Sequence, residues 1–241
     1  LPSRRGRRQG GRRRLSGFHR RIVSLQPHST RTCAVVVLIS GSGSNLQALI
    51  DDAASGGYRI AAVISNKPDA LGLQRAQQAG IATASLSHLG FDSREAFDGE
   101  LAQLIDNYEP DLLVLAGFMR ILTPGFVNRY AGRLLNIHPS LLPDFPGINT
   151  HQRALDAGVS RHGASVHFVT EELDGGPVIA RQSIAVNGED DAASLAARVL
   201  VEEHRLYPRV VRWFATGCLR LEEGRAVHSE LDLPTTTHSN E

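Results

Sequence analysis

Asn136 and His138 stand two residues apart at the end of an apolar run that includes Leu134 and Leu135. In an extended strand, residues i and i+2 share a face. An amide and an imidazole therefore leave the end of one buried strand side by side. The amide offers an N–H donor, and the imidazole can donate, accept or carry a proton. Pro139, Pro143 and Pro146 follow and stiffen the loop. In an α/β sheet, the end of such a strand is where ligands sit. A single histidine near a strand end is more often a hydrogen-bonded core or loop group than a catalytic one, so the neighbouring motifs carry the argument.

Three other stretches could do chemistry. The apolar, β-branched run 33–40 reads as a buried strand. It ends in Ser40-Gly41-Ser42-Gly43-Ser44-Asn45, and Leu46, Leu49 and Ile50 continue at helical spacing. Strand, glycine loop and helix together cradle a phosphate, because the N–H groups at a helix start face an anion. The loop is no dinucleotide fingerprint, since Leu46 stands where a third glycine is needed, and it lacks the lysine of a P-loop. Alone it could equally be a Ser/Gly turn that caps a helix. The loop from Gly117 to Leu122 gathers Phe118, Met119, Ile121 and Leu122 around Arg120. It reads either as ordinary core or as a pocket for a flat aromatic ligand. Asp174 sits between Leu173 and two glycines, where the backbone is small and irregular.

The elements that position these groups alternate. Strands are expected at 33–40, 59–65, 81–86, 111–116, 164–169 and 178–186, and one more runs through Leu134 and Leu135 to end at Asn136 and His138. Helices are expected after Asn45 and at 70–79, 92–108, 151–158 and 190–215, with a last ribbon at 218–228. Leu195, Val199, Leu206, Val210 and Trp213 give the last helix one apolar face. Alternation of this kind predicts an α/β domain whose mainly parallel, twisted sheet is covered by helices on both faces. No internal repeat or linker divides it, so the expected organisation is a leader at 1–32, one domain at 33–228 and a disordered tail at 229–241.

Composition narrows the function classes. With 41% hydrophobic residues the chain supports a real core, and it contains no apolar run long enough to span a membrane. Cys33 and Cys218 are the only cysteines, which gives no disulfide framework. Ten histidines invite a metal, yet neither His-Glu-x-x-His nor Cys-x-x-Cys occurs, so no metal is expected. The net charge of +1 hides an asymmetry. Residues 1–32 hold ten arginines and no acid, which leaves the other 209 residues with 16 bases against 25 acids, a formal −9. The leader has no apolar period and is expected to be disordered. It could be a nucleic-acid tail, a transit peptide or translation from an over-extended start. The last is favoured, because the chain begins with Leu and its only methionine is Met119.

In order, Leu-Ile-Ser-Gly-Ser-Gly-Ser-Asn at 38–45, Leu-Ala-Gly-Phe-Met-Arg-Ile-Leu at 115–122, Asn-Ile-His-Pro-Ser-Leu-Leu-Pro at 136–143 and His-Phe-Val-Thr-Glu-Glu-Leu-Asp-Gly-Gly-Pro at 167–177 resemble the folate-dependent phosphoribosylglycinamide formyltransferases. The resemblance covers roughly 34–225 and implies a Rossmann-like formyltransferase fold. It implies transfer of a formyl group from 10-formyltetrahydrofolate, as co-substrate and without metal, to the amine of glycinamide ribonucleotide in purine synthesis. The implied catalytic trio is Asn136, His138 and Asp174. Gly43, Ser44 and Asn45 would hold the phosphate and Glu203 the ribose hydroxyls. Arg94, Met119, Arg120, Ile121, Leu122 and Asn136 would line the folate site, with the trio between the two substrates. The implied partners are small molecules, not nucleic acid or membrane, in a monomer or homodimer. The implied location is cytoplasmic, or organellar if the leader is a transit peptide.

The chemistry follows from the groups. As the amine attacks the formyl carbon, the carbonyl oxygen becomes an oxyanion, which Asn136 and a protonated His138 could stabilise. Asp174, directly or through a water, could relay the proton from the attacking nitrogen to the folate nitrogen, and would favour the charged imidazole. Ser140 is not flanked as a nucleophile and reads as structural. A formyltetrahydrofolate deformylase would share the trio but not need the glycine loop, and the resemblance gives it an extra N-terminal domain. A transfer-RNA formyltransferase would need a basic C-terminal domain. A non-catalytic nucleotide-binding protein would have no reason to keep the trio together.

Overall fold

The computed structural model describes residues 31–229. Seven strands form one sheet in the order β3-β2-β1-β4-β5-β6-β7. The first five are β1 (Cys33–Ile39), β2 (Tyr58–Ser65), β3 (Ala82–Ser85), β4 (Leu112–Leu115) and β5 (Leu134–His138). They pair in parallel, as the alternating pattern predicts. The last two, β6 (Arg161–Phe168) and β7 (Val178–Ala185), join antiparallel at one edge.

The sheet is covered on both faces. Val35, Val37 and Ile39 of β1 point to the face covered by α1 (Ser44–Ala53), α2 (Leu71–Gln78) and α6 (Ala192–Ala215). Val36 and Leu38 point the other way, toward α3 (Arg94–Asp106) and α4 (Pro124–Arg129). A strand buried on both faces must be apolar throughout, and every residue of β1 is buried. The remaining helix, α5 (Thr150–Asp156), packs against α6. The expected ribbon is the antiparallel pair β8 (Leu219–Glu222) and β9 (Arg225–His228).

Local chemistry sets the helix starts that matter here. Asp191 caps α6 in a reciprocal box with Ser194, and the helix continues through Pro208. Ser93 caps α3 by accepting the Ala96 N–H. The sequence reading assigns no element to 123–132, yet α4 forms there. Its signal was present, since Thr123 accepts from Phe126 N and Pro124 stands in the first turn. The Thr123 N–H donates to the buried carboxylate of Asp98, 2.6 Å away, which ties this turn to α3.

The expectation of an arginine-rich leader falls on residues outside the described ones, apart from Arg31 and Thr32. Arg31 already belongs to the body, because its Nη2 lies 2.7 Å from Asp111 Oδ1 while Asp111 Oδ2 accepts the Ala34 N–H. The expected tail also lies outside the described residues, apart from Ser229, whose N–H donates to Cys218 O.

Candidate active site

Three loops leave the C-terminal ends of neighbouring strands. The glycine loop follows β1, the apolar loop 117–122 follows β4, and Asn136 and His138 end β5. Because these strands are parallel and adjacent, the loops emerge side by side.

Asn136 pairs with His167 across β5 and β6. His167 Nδ1 lies 3.0 Å from Phe168 O, and a carbonyl only accepts, so Nδ1 carries the proton. Burial holds this imidazole below its ordinary pKa, outweighing the opposing pull of Phe168 O and Asp174, which favours the neutral ring. Nε2 is then a lone-pair acceptor for Asn136 Nδ2, 3.1 Å away. That bond assigns the amide orientation and leaves the second amide hydrogen for another acceptor.

Asp174 reaches these groups because of glycine. A Cβ on Gly176 would lie 1.8 Å from Phe168 O, so only glycine lets the loop close onto β6. Asp174 itself is left-handed, with φ 53°, a conformation that Asp adopts more readily than most residues. Its Oδ2 accepts the Gly147 N–H at 2.8 Å and lies 3.4 Å from His138 Nδ1. Its Oδ1 lies 3.8 Å from His167 Nε2. His138 Nε2 lies 3.0 Å from Phe145 O and therefore carries a proton, which leaves Nδ1 facing the carboxylate.

Asn136, His167 and Asp174 line a cavity of about 110 Å³ together with Phe118, Arg120, Ile121 and Leu122. His138 borders this lining through Asp174, its two ring nitrogens facing Phe145 O and Asp174 Oδ2. The Arg120 guanidinium lies 4.9 Å over the Phe97 ring, and its buried Nε has no hydrogen-bond partner among the described residues. Met119 is 71% exposed. Arg94 is exposed in the first turn of α3, apart from the lining of this cavity. Ser140 is structural, its hydroxyl donating to Asp144 O within the proline-rich loop.

The glycine loop is built as the sequence suggests. Gly43 has φ 71°, and a Cβ there would lie 2.6 Å from Gly72 Cα, so two glycines are needed at one crossing. The Gln47 N–H is the first to bond back into α1, reaching Gly43 O at 2.9 Å. The N–H groups before it are those a helix start leaves for a ligand. The Asn45 side chain does something else. Its Nδ2 donates to Glu203 Oε2 at 2.6 Å, and both residues are buried. Burial pushes the Glu203 carboxyl above the ordinary range, and the Asn45 bond pulls it back. The loop thus joins α6 directly, across 158 residues.

A residue missed in the sequence completes this side. Arg75 of α2 donates from Nε to Ser42 O at 2.9 Å and from Nη1 to Gln47 Oε1 at 3.3 Å. It shares with Ser44 a groove of about 750 Å³ along α1 and α6. Nothing local marks Arg75 as part of the loop, because only the packing of α2 against 41–43 brings it there.

The formyl transferase family model matches residues 33–211. The chain belongs to that family. Phosphoribosylglycinamide formyltransferase of Escherichia coli (strain K12) is 58% identical over 194 residues, covering 80% of this chain and 92% of that protein. The Haemophilus influenzae protein of the same name is 45% identical over 209 residues, covering 86% and 99%. Among solved structures, phosphoribosylglycinamide formyltransferase of Coxiella burnetii in complex with CHES superposes with a TM-score of 0.80 at 48% identity, covering 83% of this chain and 94% of that one.

In this formyl transferase the loop that holds His138 rests on two further histidines. His162 Nε2 lies 3.2 Å from His151 Nδ1, and the His162 ring meets the edge or face of Phe145 at 6.0 Å. Burial, then the neighbouring His151, push His162 down to about 4. Its folded value lies below its unfolded value, so this contribution to stability is complete above about 6.5, the ordinary histidine value, and is lost as pH falls toward 4. Denaturant midpoints measured between pH 8 and pH 4 should therefore fall less steeply for His162→Gln than for the native chain. Equal slopes below pH 6.5 would show that His162 is not a source of the acid sensitivity.

Proposed function

We propose that this formyl transferase moves the formyl group of 10-formyltetrahydrofolate onto the amine of 5-phosphoribosylglycinamide, a step of purine synthesis. The observation that carries the reading is the adjacency of the phosphate-type loop, the apolar loop and the Asn136–Asp174 cavity at the C-terminal ends of neighbouring strands. An anion suits the α1 start, with Arg75 supplying a positive charge. A flat pterin suits the walls formed by Phe118, Ile121 and Leu122, and the orphaned Arg120 Nε suits an acceptor on that ligand. The catalytic trio stands where the two substrates meet, since Asn136 and Asp174 share one cavity with the apolar loop.

The reaction is a direct acyl transfer. The amine forms a C–N bond to the formyl carbon, and the carbonyl electrons move onto oxygen. The second Asn136 amide hydrogen is the donor aimed at that oxyanion. His138 contributes in the transition state by exchanging Phe145 O for the charged oxygen, a bond of the kind that tightens only on catalysis. Asp174 takes the proton from the new ammonium, directly or through a water, and returns it to the folate nitrogen as the old C–N bond breaks. Glu203 accepts from the ribose hydroxyls, held by Asn45. Asn45 meets the phosphate through its main-chain N–H, since its side chain is engaged with Glu203.

The test is consumption of 10-formyltetrahydrofolate with and without glycinamide ribonucleotide. Turnover that needs the amine supports the reading, and equal turnover without it overturns the reading in favour of hydrolysis. In the same assay Arg75→Ala should raise the ribonucleotide's KM about tenfold or more, as loss of a charge-assisted phosphate contact requires, and leave the folate's KM unchanged. A rise in the folate's KM alone would mean that Arg75 serves the other substrate.

A further inference from the structure

The β1–β4 ladder does not end where the two strands do. Leu38 O accepts the Ala116 N–H at 2.9 Å, and Ser40 N donates to Gly117 O at 3.1 Å. At Gly117, with φ 75°, the second chain turns away. The Ser40 side chain then takes over from the backbone. Its Oγ accepts the Met119 N–H at 2.8 Å and donates to Asn66 Oδ1 at 2.6 Å. Ser40 is 4% exposed and Asn66 5%, so water does not compete for these bonds. One hydroxyl, using its single hydrogen and one lone pair, joins the ends of β1, β2 and β4.

The chain leaving Ser40 is the phosphate-type loop, and the chain leaving Gly117 is the apolar loop. The Ser40 hydroxyl is the side-chain link between the two. We propose that Ser40 is a positioning residue that sets the separation of the two substrate cradles, and hence the approach of amine to formyl carbon. The inference rests on the functional reading above. Each cradle would bind its own substrate without this link. What depends on it is their mutual placement, where an error of about 1 Å costs on the order of a hundredfold in rate.

The experiment compares native chain, Ser40→Ala and Asn66→Ala. Binary dissociation constants for glycinamide ribonucleotide and for tetrahydrofolate are measured by calorimetry, and the formyl-transfer rate with both substrates saturating by rapid quench. For Ser40→Ala the rate should fall by about ten- to a hundredfold, while both dissociation constants stay within about threefold. Asn66→Ala keeps the Met119 bond and should show the same pattern with a smaller loss. If Ser40→Ala does not fold, Asn66→Ala carries the test alone. The double variant should be no slower than Ser40→Ala, because the two act through one hydroxyl. An unchanged transfer rate in both single variants, or a loss confined to one substrate's affinity, overturns the proposal. Absence of transfer by the native chain would overturn the functional reading, and this inference with it. Native transfer with an unimpaired Ser40→Ala overturns this inference alone.

Discussion

Asp174→Asn is expected to lower turnover by about a hundred- to ten-thousandfold, the range that general acid–base groups contribute. The substitution keeps the shape of the side chain and suits the left-handed backbone at φ 53°, where Asn is also tolerated. The fold should therefore survive. Two things are lost and the orientation of the side chain is fixed. The side chain no longer takes a proton from the attacking nitrogen. The negative charge 3.4 Å from His138 Nδ1 disappears. An amide nitrogen at the Oδ2 position would face the Gly147 N–H as a second donor, so the amide must flip and offer its oxygen there. The check is kcat with both substrates saturating, alongside the thermal midpoint. A variant that melts with the native chain and keeps kcat within about threefold would remove Asp174 from the proton path.

Asn136→Ala is expected to cost about a hundred- to a thousandfold in kcat, as loss of one oxyanion donor does. The effect should appear in kcat more than in either KM, since the developing charge exists only in the transition state. The variant also leaves His167 Nε2 without its donor in a buried site. That should cost stability by about 1–3 kcal/mol. Asn136→Asp tests the donor without removing side-chain volume, since it is nearly isosteric but offers only acceptors when ionised, and it should be as slow as the alanine variant. A decrease of less than about tenfold in Asn136→Ala would mean that another group holds the oxyanion.

Both predictions start from residues visible in the linear chain, but they were legible to different degrees. Asn136 and His138 are legible because strand periodicity is local, and two residues apart means one face. The structure retains that relation and adds what periodicity does not contain. Asn136 faces His167 from an antiparallel neighbour, and that histidine's tautomer assigns the amide. The position of Asp174 over His138 depends on Gly176 passing Phe168 O and on Gly147 donating from another loop. The Gly147 and His138 contacts of Asp174 span 27 and 36 residues of chain, and spacing alone does not specify them.

The amino-acid sequence by itself determined the alternation of strands and helices, the two-sided burial of β1, the glycine loop, and the four motifs that carry the family resemblance. Each is a property of a short segment, fixed by side-chain period, backbone freedom or capping groups. Tertiary structure alone decided which of these segments meet. It turned the Asn45 side chain to Glu203, brought Arg75 to the glycine loop, and left Arg94 exposed apart from the Asn136–Asp174 cavity. It also placed β4 between β1 and β5. The physical reason is that a hydrogen bond or a steric contact acts through a few ångströms of space, whatever the length of chain between its partners, and that space exists only once the sheet has formed.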